Sequence, residues 1–329
     1  MASVKAAILG FGTVGQGIYN IVHERREHFK QTLGVEIEVA KILVRDASKV
    51  REGIDASLFT ESFDDILAIP DLEVVFEGIV GEDPAYGYLD QAIEKGCHVI
   101  TANKVMFARY GQELQLKAKK KGVQVGYEAT TAGGVPVIKT MQNLLRVNEV
   151  KQVQGILNGT SNYILTQMRA EGLAFDVALK AAQDLGYAEA DPHNDISGED
   201  AFRKLMILCA LAFGEQPDWN NVEVVGIESI TSEQVEEAKA KNLRYRHVAN
   251  AYRDDATGEI IAKVGPELVG ADHPLYAIDD VNNAVSLDTN YIGTLTMVGP
   301  GAGMYPTASV MMEDYADMLA KPEKTVSLA

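Results

Sequence analysis

The sequence predicts an α/β protein: a doubly wound parallel sheet of the Rossmann type, followed by a second α+β domain with a mixed sheet. Three observations lead there. An apolar run at residues 4–9 passes through Gly10-Phe11-Gly12-Thr13-Val14-Gly15 into a helical pattern at Ile18, Ile21 and Val22, the order strand, glycine turn, helix. Strand-like and helix-like stretches then alternate to about Tyr127, as in a parallel sheet wound with helices. From Val222 onward the chain changes to short strands, so the second half does not continue the first. A length of 329 residues, with 47% hydrophobic and 23% charged composition, is enough for two cores.

In the glycine turn, Gly10 serves the tight turn, Gly12 lets a pyrophosphate approach the backbone and Gly15 lets the helix pack closely on the strand. The phosphates would lie at the helix N-terminus, where free amides and the dipole favour anions, so Gly10, Phe11, Gly12, Thr13, Val14 and Gly15 are candidate cofactor contacts. The helix that follows is charged at residues 23–28 and reads as a solvated face. Residues 36–44 form the second strand. An acid at its end would bind ribose hydroxyls and a base would suit a 2′-phosphate, so Arg45, supported by Lys49, points to NADP over NAD. Residues 72–80, 97–101 and 123–127 are further strands, with a helix at 86–95. Ligands in such sheets bind beyond the carboxyl ends of the strands. Val80 stands at one such end and Lys104, in Ala102-Asn103-Lys104, at another, which places the Lys104 amine near the nicotinamide.

A glycine-rich turn at residues 128–136 marks the boundary. Residues 1–130 are the dinucleotide-binding domain, 131–150 a hinge and an apolar dimerisation helix, and 151–299 a substrate, catalytic and dimerisation domain, with 300–329 returning to the first. Residues 150–157 read as a strand, 158–162 as a turn capping a helix through Met168, and 175–185 as another helix. Strands follow at 222–230, 245–252, 259–264, 284–287 and 293–298, with a charged helix near 232–242. A second glycine-rich turn at 299–309 precedes a helix from about Val310 to Leu319.

The chain is organised around residues 187–211, where five acids, a histidine and a lysine stand directly before a long apolar run. Turn signals at Asp191-Pro192 and His193-Asn194 give way after Ser197 to a helical pattern through about Phe213. Asp200, Lys204, Ile207, Leu208 and Leu211 then share one helical face, because side chains three and four residues apart are neighbours. Two structural readings compete. Asp and Lys four apart are usually a solvated pair contributing about 0.3 to 0.5 kcal/mol, and Ser197 with Asp200 also fits a capping box. The apolar residues 205–211 leave little of this helix for water, however, and a lysine desolvated there and held charged by an acid is a tuned proton donor. His193 reads as a loop residue.

A net charge of -17 excludes nucleic acid and anionic membranes as partners, since phosphate would be repelled. Cys97 and Cys209 sit in apolar runs, which fits a reducing compartment without disulfides. The first apolar stretch is too short for a signal peptide, and no run of about 18 apolar residues occurs. The expectation is a cytoplasmic protein.

These motifs together closely resemble homoserine dehydrogenase: GFGTVG at Gly10, TANK at Thr101, YEATTAGGVP at Tyr127, LNGTSNYIL at Leu157, GYAEADPHNDISGEDAFRK at Gly186 and GAGMYPTAS at Gly301 occur in family order over nearly the whole chain. The resemblance implies reversible reduction of L-aspartate 4-semialdehyde to L-homoserine with NAD(P)H, in the pathway to threonine, isoleucine and methionine. It makes Lys204 the proton donor and Asp200 a substrate-binding acid beside it. Glu189 and Asp195 are the carboxylates for the substrate ammonium, Tyr187 a further substrate contact, and Lys104 the lysine between substrate and nicotinamide. Gly186 and Gly303 match cofactor contacts. Glu128, Thr131, Gly133 and Val135 match positions that hold a structural sodium ion, largely through main-chain carbonyls. The family pairs as a dimer, here expected through the helix after Gly134 and the C-terminal helix, or assembles further as a tetramer. Many bacterial members continue into a C-terminal regulatory ACT domain; this chain is expected to resemble a short form without it. Hydride addition to an aldehyde builds alkoxide charge, which calls for a cation carrying a proton, and Lys204 and Lys104 offer two.

Other classes fit less well. Sugar oxidoreductases of this architecture place Glu-Lys-Pro where this chain has Ala102-Asn103-Lys104. A non-catalytic nucleotide sensor has no need of Asp200 and Lys204 on a buried helix. A thioester-forming semialdehyde dehydrogenase needs an accessible cysteine, and Cys97 and Cys209 fall inside a strand and a helix.

Overall fold

The structure, a computed structural model, describes residues 2–320; residue 1 and residues 321–329, the end of the segment expected to return to the first domain, lie outside the described residues. The chain divides into two compact units, one made of the residues up to Thr130 with the stretch from Gly303, the other of Thr131–Ala302. Residues 131–150 thus cluster with the second unit.

The first unit begins with β1 (Ala2–Leu9), α1 (Thr13–Glu24), α2 (Arg26–Thr32) and β2 (Val35–Leu43). It continues with β3 (Phe59–Thr60), α3 (Phe63–Leu67), β4 (Leu72–Glu77), α4 (Ala85–Lys95), β5 (His98–Thr101), α5 (Lys104–Lys121) and β6 (Val125–Gly126). The six strands form one sheet in the order β3-β2-β1-β4-β5-β6, all parallel. Alternation along β1 sends Val4, Ala6 and Ile8 to one face, with Ile18 and Val22 of α1. Ala7 and Leu9 go to the other, with Leu89 of α4 and Met106 and Leu114 of α5. A strand buried on both faces reads as a continuous apolar run. The strand order reverses at β1, so the carboxyl ends of β1 and β4 flank the crevice where such sheets bind ligands.

The second unit holds α6 (Val137–Leu144), β7 (Val150–Ile156), α7 (Gly159–Glu171), α8 (Phe175–Asp184), α9 (His193–Ile196) and α10 (Glu199–Phe213). Then come β8 (Glu223–Val224), α11 (Ser232–Ala240), β9 (Arg244–Arg253), β10 (Ile260–Val269), β11 (Asn282–Thr289) and β12 (Thr294–Pro300). Its sheet, in the order β12-β11-β7-β9-β10-β8, is antiparallel except where β8 runs parallel to β10. This is the mixed sheet expected. The last helix, α12 (Met304–Leu319), belongs to the first unit, where Val310, Met311 and Tyr315 pack with Ile8 and Ile18.

Several local expectations give way. The helix after the glycine turn breaks at Arg25 into α1 and α2. β3 and α3 were not anticipated. The run at 222–230 pairs only over β8, because Ile227 N–H donates to Ile196 O at 2.9 Å and Ile230 N–H to Ile227 O, turning the chain away from the sheet. α12 starts six residues before Val310; Pro306 lies in its first turn, where a missing N–H breaks no intrahelical bond. His193 opens the four-residue α9 rather than lying in a loop.

The glycine turn is held by sterics. Gly10 adopts φ +89°, and a Cβ on Gly15 would sit 2.1 Å from Gly10 O, so α1 can start only if Gly15 lacks one. At Gly12, the N-cap of α1, a Cβ would meet nothing within 4 Å. Gly15→Ala is therefore expected to destabilise by about 1 to 3 kcal/mol, the usual scale of overpacking, whereas Gly12→Ala leaves the melting temperature close to wild type. Thermal unfolding of the two variants, side by side, checks this.

Candidate active site

The second unit buries a charge pair. Asp200 and Lys204 lie one turn apart on α10, 4% and 7% exposed. Lys204 Nζ is 2.7 Å from Asp200 Oδ2 and donates to the Leu157 carbonyl at 2.6 Å. That carbonyl follows the last residue of β7 and also accepts from Asn283 Nδ2, on β11, at 3.0 Å. The capping box does not form: Gly198, at φ +92°, is the N-cap of α10 and makes no side-chain cap. Asp200 turns instead toward Lys204 and Asn158, whose Nδ2 donates to Asp200 Oδ2 at 2.9 Å and to Asp195 Oδ1 at 2.8 Å. The same Asn158 caps α7 by accepting from Ser161 N–H at 2.8 Å.

The loop between α8 and α9, and α9 itself, are tied to this centre. Thr160 Oγ1 donates to Tyr187 O at 2.6 Å, Ser161 Oγ to Asp195 O at 2.7 Å, and Tyr187 meets Tyr163 edge to face at 5.2 Å. Asp195 is half-buried; Tyr187, Glu189 and Gly186, which has φ +76°, are exposed. The site thus brings Asp195, Asp200 and Lys204 around Asn158, with Tyr187 and Glu189 on the same loop. A buried pair with a carbonyl on the cation can hold or release a proton without losing all its partners. Asn158 and Asn283 were missed as site residues. The motif LNGTSN carried the first as a cap; the second lies one residue before the expected strand 284–287 and inside the observed β11, and nothing in the sequence signalled it.

In the first unit Gly10, Phe11 and Gly12 make the turn at the carboxyl end of β1, and Thr13, Val14 and Gly15 are the first residues of α1. A dinucleotide fits this turn: the space over Gly12 is open, and among the described residues no side chain caps the N-terminus of α1. Arg45 and Lys49, past β2, are exposed, and their side chains make no hydrogen bond or ion pair among the described residues, although Lys49 O accepts from Arg51 Nη1 at 2.8 Å. Asp46 is engaged elsewhere, accepting from Ser48 N–H and Oγ–H, which hold its carboxyl below the usual range. Val80 is 83% exposed past β4. Lys104 is the first residue of α5, half-buried, behind the N-cap Asn103. Gly303, at φ +131°, is the N-cap of α12.

Glu128, Thr131 and Val135 are nearly fully buried, and Gly133 has φ +56°. Among the described residues no group of three or more His, Cys, Asp or Glu could hold a metal. No helix among them is long and apolar enough to cross a membrane. Both cysteines are buried; desolvation pushes the thiol of Cys97 up to about 11 and that of Cys209 to about 12, so neither is a poised nucleophile.

Comparison with known proteins covers both units. The family profile described as "Homoserine dehydrogenase, NAD binding domain" matches residues 10–128, and that described as "Homoserine dehydrogenase" matches residues 136–316. A homoserine dehydrogenase of Pseudomonas aeruginosa is 40% identical over 99% of this chain and 75% of its own length. A crystal structure of a homoserine dehydrogenase from Thiobacillus denitrificans superposes with a TM-score of 0.90 at 39% identity, covering 97% of this chain and 74% of that one. Two relatives name a cofactor. One, from Pseudomonas canavaninivorans, is an NAD(+)-dependent homoserine dehydrogenase, 33% identical over 95% of this chain and 96% of its own. The other, a hyperthermophilic archaeal homoserine dehydrogenase, was solved with NADPH (TM-score 0.80, 28% identity, 96% and 97% covered).

Asn158→Asp is expected to keep the α7 cap but to crowd a third carboxylate against Asp195 and Asp200. Like charges raise carboxyl pKa values in the folded state. The folded protein then binds protons more tightly than the unfolded chain, and stability is lost as pH rises. Melting curves at low and at neutral pH should show a deficit against wild type that widens toward neutrality.

Proposed function

This chain belongs to the homoserine dehydrogenase family, and from that premise we propose that it interconverts L-aspartate 4-semialdehyde and L-homoserine, preferring NADP, in the route to threonine, isoleucine and methionine. The observation that carries the mechanism is the buried Asp200–Lys204 pair seated on the Leu157 carbonyl. When bound, the nicotinamide supplies a hydride to the aldehyde carbon. The carbonyl π pair then becomes an alkoxide, and the Lys204 ammonium gives it a proton, leaving homoserine hydroxyl and a lysine amine that recovers its proton from water. In the reverse direction the amine takes the hydroxyl proton. Asp200 keeps Lys204 charged before the step, and Leu157 O keeps its Nζ in place.

The substrate is a zwitterion. Its ammonium is assigned to Glu189 and Asp195, with Asp195 oriented by Asn158, and Tyr187 borders the same loop. Lys104 is assigned to the cofactor side of the reaction as a second positive charge. Gly10 to Gly15, Val80, Gly186 and Gly303 are assigned to the dinucleotide, and Arg45 with Lys49 to its 2′-phosphate; their exposure supports that preference, as does the engagement of Asp46 with Ser48. A sodium ion at the 131–135 turn would be held by main-chain oxygens and would stiffen the turn. The same reading makes the enzyme cytoplasmic, and a homodimer or tetramer through α6 and α12, with only small molecules as ligands.

Homoserine-dependent reduction of NADP and of NAD, followed by absorbance, tests this. Wild type should be active, and Lys204→Ala should lose at least about a hundredfold, the size of a general acid-base contribution. Cofactor binding without any turnover in wild type would leave the nucleotide-sensing alternative standing. Arg45→Ala should weaken NADP about tenfold or more and spare NAD, since one charged hydrogen bond is worth about 1.5 to 3 kcal/mol.

A further inference from the structure

Glu77 closes β4 with no exposed surface, and the function above leaves it unused. A carboxyl buried at the carboxyl end of a central strand stands where such sheets bind ligands, and an apolar residue would be easier to bury there. Its contacts show what it holds. Glu77 Oε1 accepts from Ile79 N–H at 2.5 Å, and Oε2 accepts from Thr101 Oγ1, on the register-paired residue of β5, at 2.5 Å. Thr101 Oγ1 in turn accepts from Asn103 N–H at 2.9 Å. Asn103 Oδ1 caps α5 by accepting from Met106 N–H at 3.1 Å, and its Nδ2 donates to Gly81 O at 2.7 Å. One carboxyl thus ties together the turn 78–81, the end of β5 and the first turn of α5, which begins with Lys104.

The polarity of these bonds is forced. The amides of Ile79 and Asn103 can only donate, so the Thr101 hydroxyl accepts from Asn103 and spends its own proton on Glu77. Both carboxyl oxygens are acceptors. A protonated Glu77 would have to turn the Thr101 hydroxyl round, leaving that hydroxyl proton without its acceptor. We propose that Glu77 is a positioning residue of the reaction: as a carboxylate it fixes the turn 78–81 and the start of α5, and with them Lys104, and its protonation loosens both. This rests on the assignment of Val80 and Lys104 to cofactor and substrate.

The surroundings leave the ionisation open to neutral pH. Burial pushes the Glu77 carboxyl up to about 7 against the hydrogen bonds from Thr101, Ile79 and the Asn103 side chain. Of the elements packed there, β1 presents Leu9 and β5 presents Thr101. The charged residues of the neighbouring stretches are Lys104 on α5, Glu82 beyond the turn, which is ion-paired with Arg109 of α5 at 2.7 Å, Asp90, Glu94 and Lys95 on α4, which packs on β4, and, on the elements packed on β5, Glu128 in the short turn and Glu313, Asp314 and Asp317 on α12.

The test compares wild type with Glu77→Gln, in which an amide offers N–H to a hydroxyl that needs an acceptor. Turnover should fall about tenfold to a hundredfold, the scale of a misplaced catalytic group. In wild type, NADH affinity, read by fluorescence and free of a titrating 2′-phosphate, should weaken as pH falls through about 7 with the raised carboxyl pKa; Glu77→Gln should lack that dependence. Thr101→Val should reproduce the loss and Thr101→Ser should restore it, which a general packing defect would not do. Circular dichroism confirms that each variant is folded. A Glu77→Gln enzyme with wild-type turnover and an unchanged NADH pH profile overturns the proposal. If wild type binds NADH with that profile but never oxidises homoserine, the assigned reaction falls while the hold of Glu77 on the cofactor turn stands.

Discussion

The second unit is arranged around the burial of one charge pair. Lys204 and Asp200 lie on a helix whose other inward residues are apolar, and an uncompensated charge there would cost several kcal/mol. The pair is tolerated because its remaining donors and acceptors are met. That requirement reaches outward. β7 must end at Ile156 so that the next carbonyl is free for Lys204, and Asn283 of β11 must hold that carbonyl from the other side. Asn158 must both start α7 and face two carboxylates. Gly301 shares the constraint, since a Cβ on it would lie 2.2 Å from the Asn283 side chain. The start of α10 is fixed the same way: at Gly198 a Cβ would lie 3.1 Å from His247, a ring fully buried, pushed toward its neutral form by desolvation and bonded to Val225 O.

How much of this could be read beforehand follows from where each partner sits in the chain. The four-residue spacing of Asp200 and Lys204 and the apolar run after them are local, so helix, face and burial were legible. Ser197 with Asp200 matched a capping box as well as a buried pair, because that pattern does not say which way the carboxylate points. The deciding contacts come from Asn158, 42 residues away, from Leu157, 47 residues from Lys204, and from Asn283, 126 residues from Leu157. No periodicity spans such distances. The stretch 222–230 failed for the same reason: its β-type residues are drawn off by the backbone of Ile196.

The first unit was easier because its constraints are backbone constraints. A positive φ at Gly10 and the contact of Gly15 with the carbonyl of Gly10 are decided within six residues, and they prescribe glycine whatever the rest of the chain does. The start of α12 is the exception that shows the limit. Pro306 punctuates like a turn residue, yet in the first turn of a helix its missing N–H was never needed, so the same residue fits either reading.

Glu77 and Asp200 are both buried acids near the ends of their strands or helices, and the difference in their partners separates their chemistry. Asp200 has a cation at 2.7 Å, so each charge offsets the other, and if Lys204 gives its proton to a third group the Asp200 carboxylate stays beside it to favour taking one back. Among the described residues Glu77 is hydrogen-bonded only to neutral donors, Ile79, Thr101 and the Asn103 side chain. Those bonds favour its charge without cancelling it, so burial and hydrogen bonding oppose each other and the balance falls near neutrality. A carboxyl in that state is poorly suited to proton transfer with a substrate it does not touch. It is well suited to coupling the protonation of the medium to the geometry of the strand ends. In sequence it is an acid within the apolar run 72–80, and only the three segments that converge on it reveal what it holds.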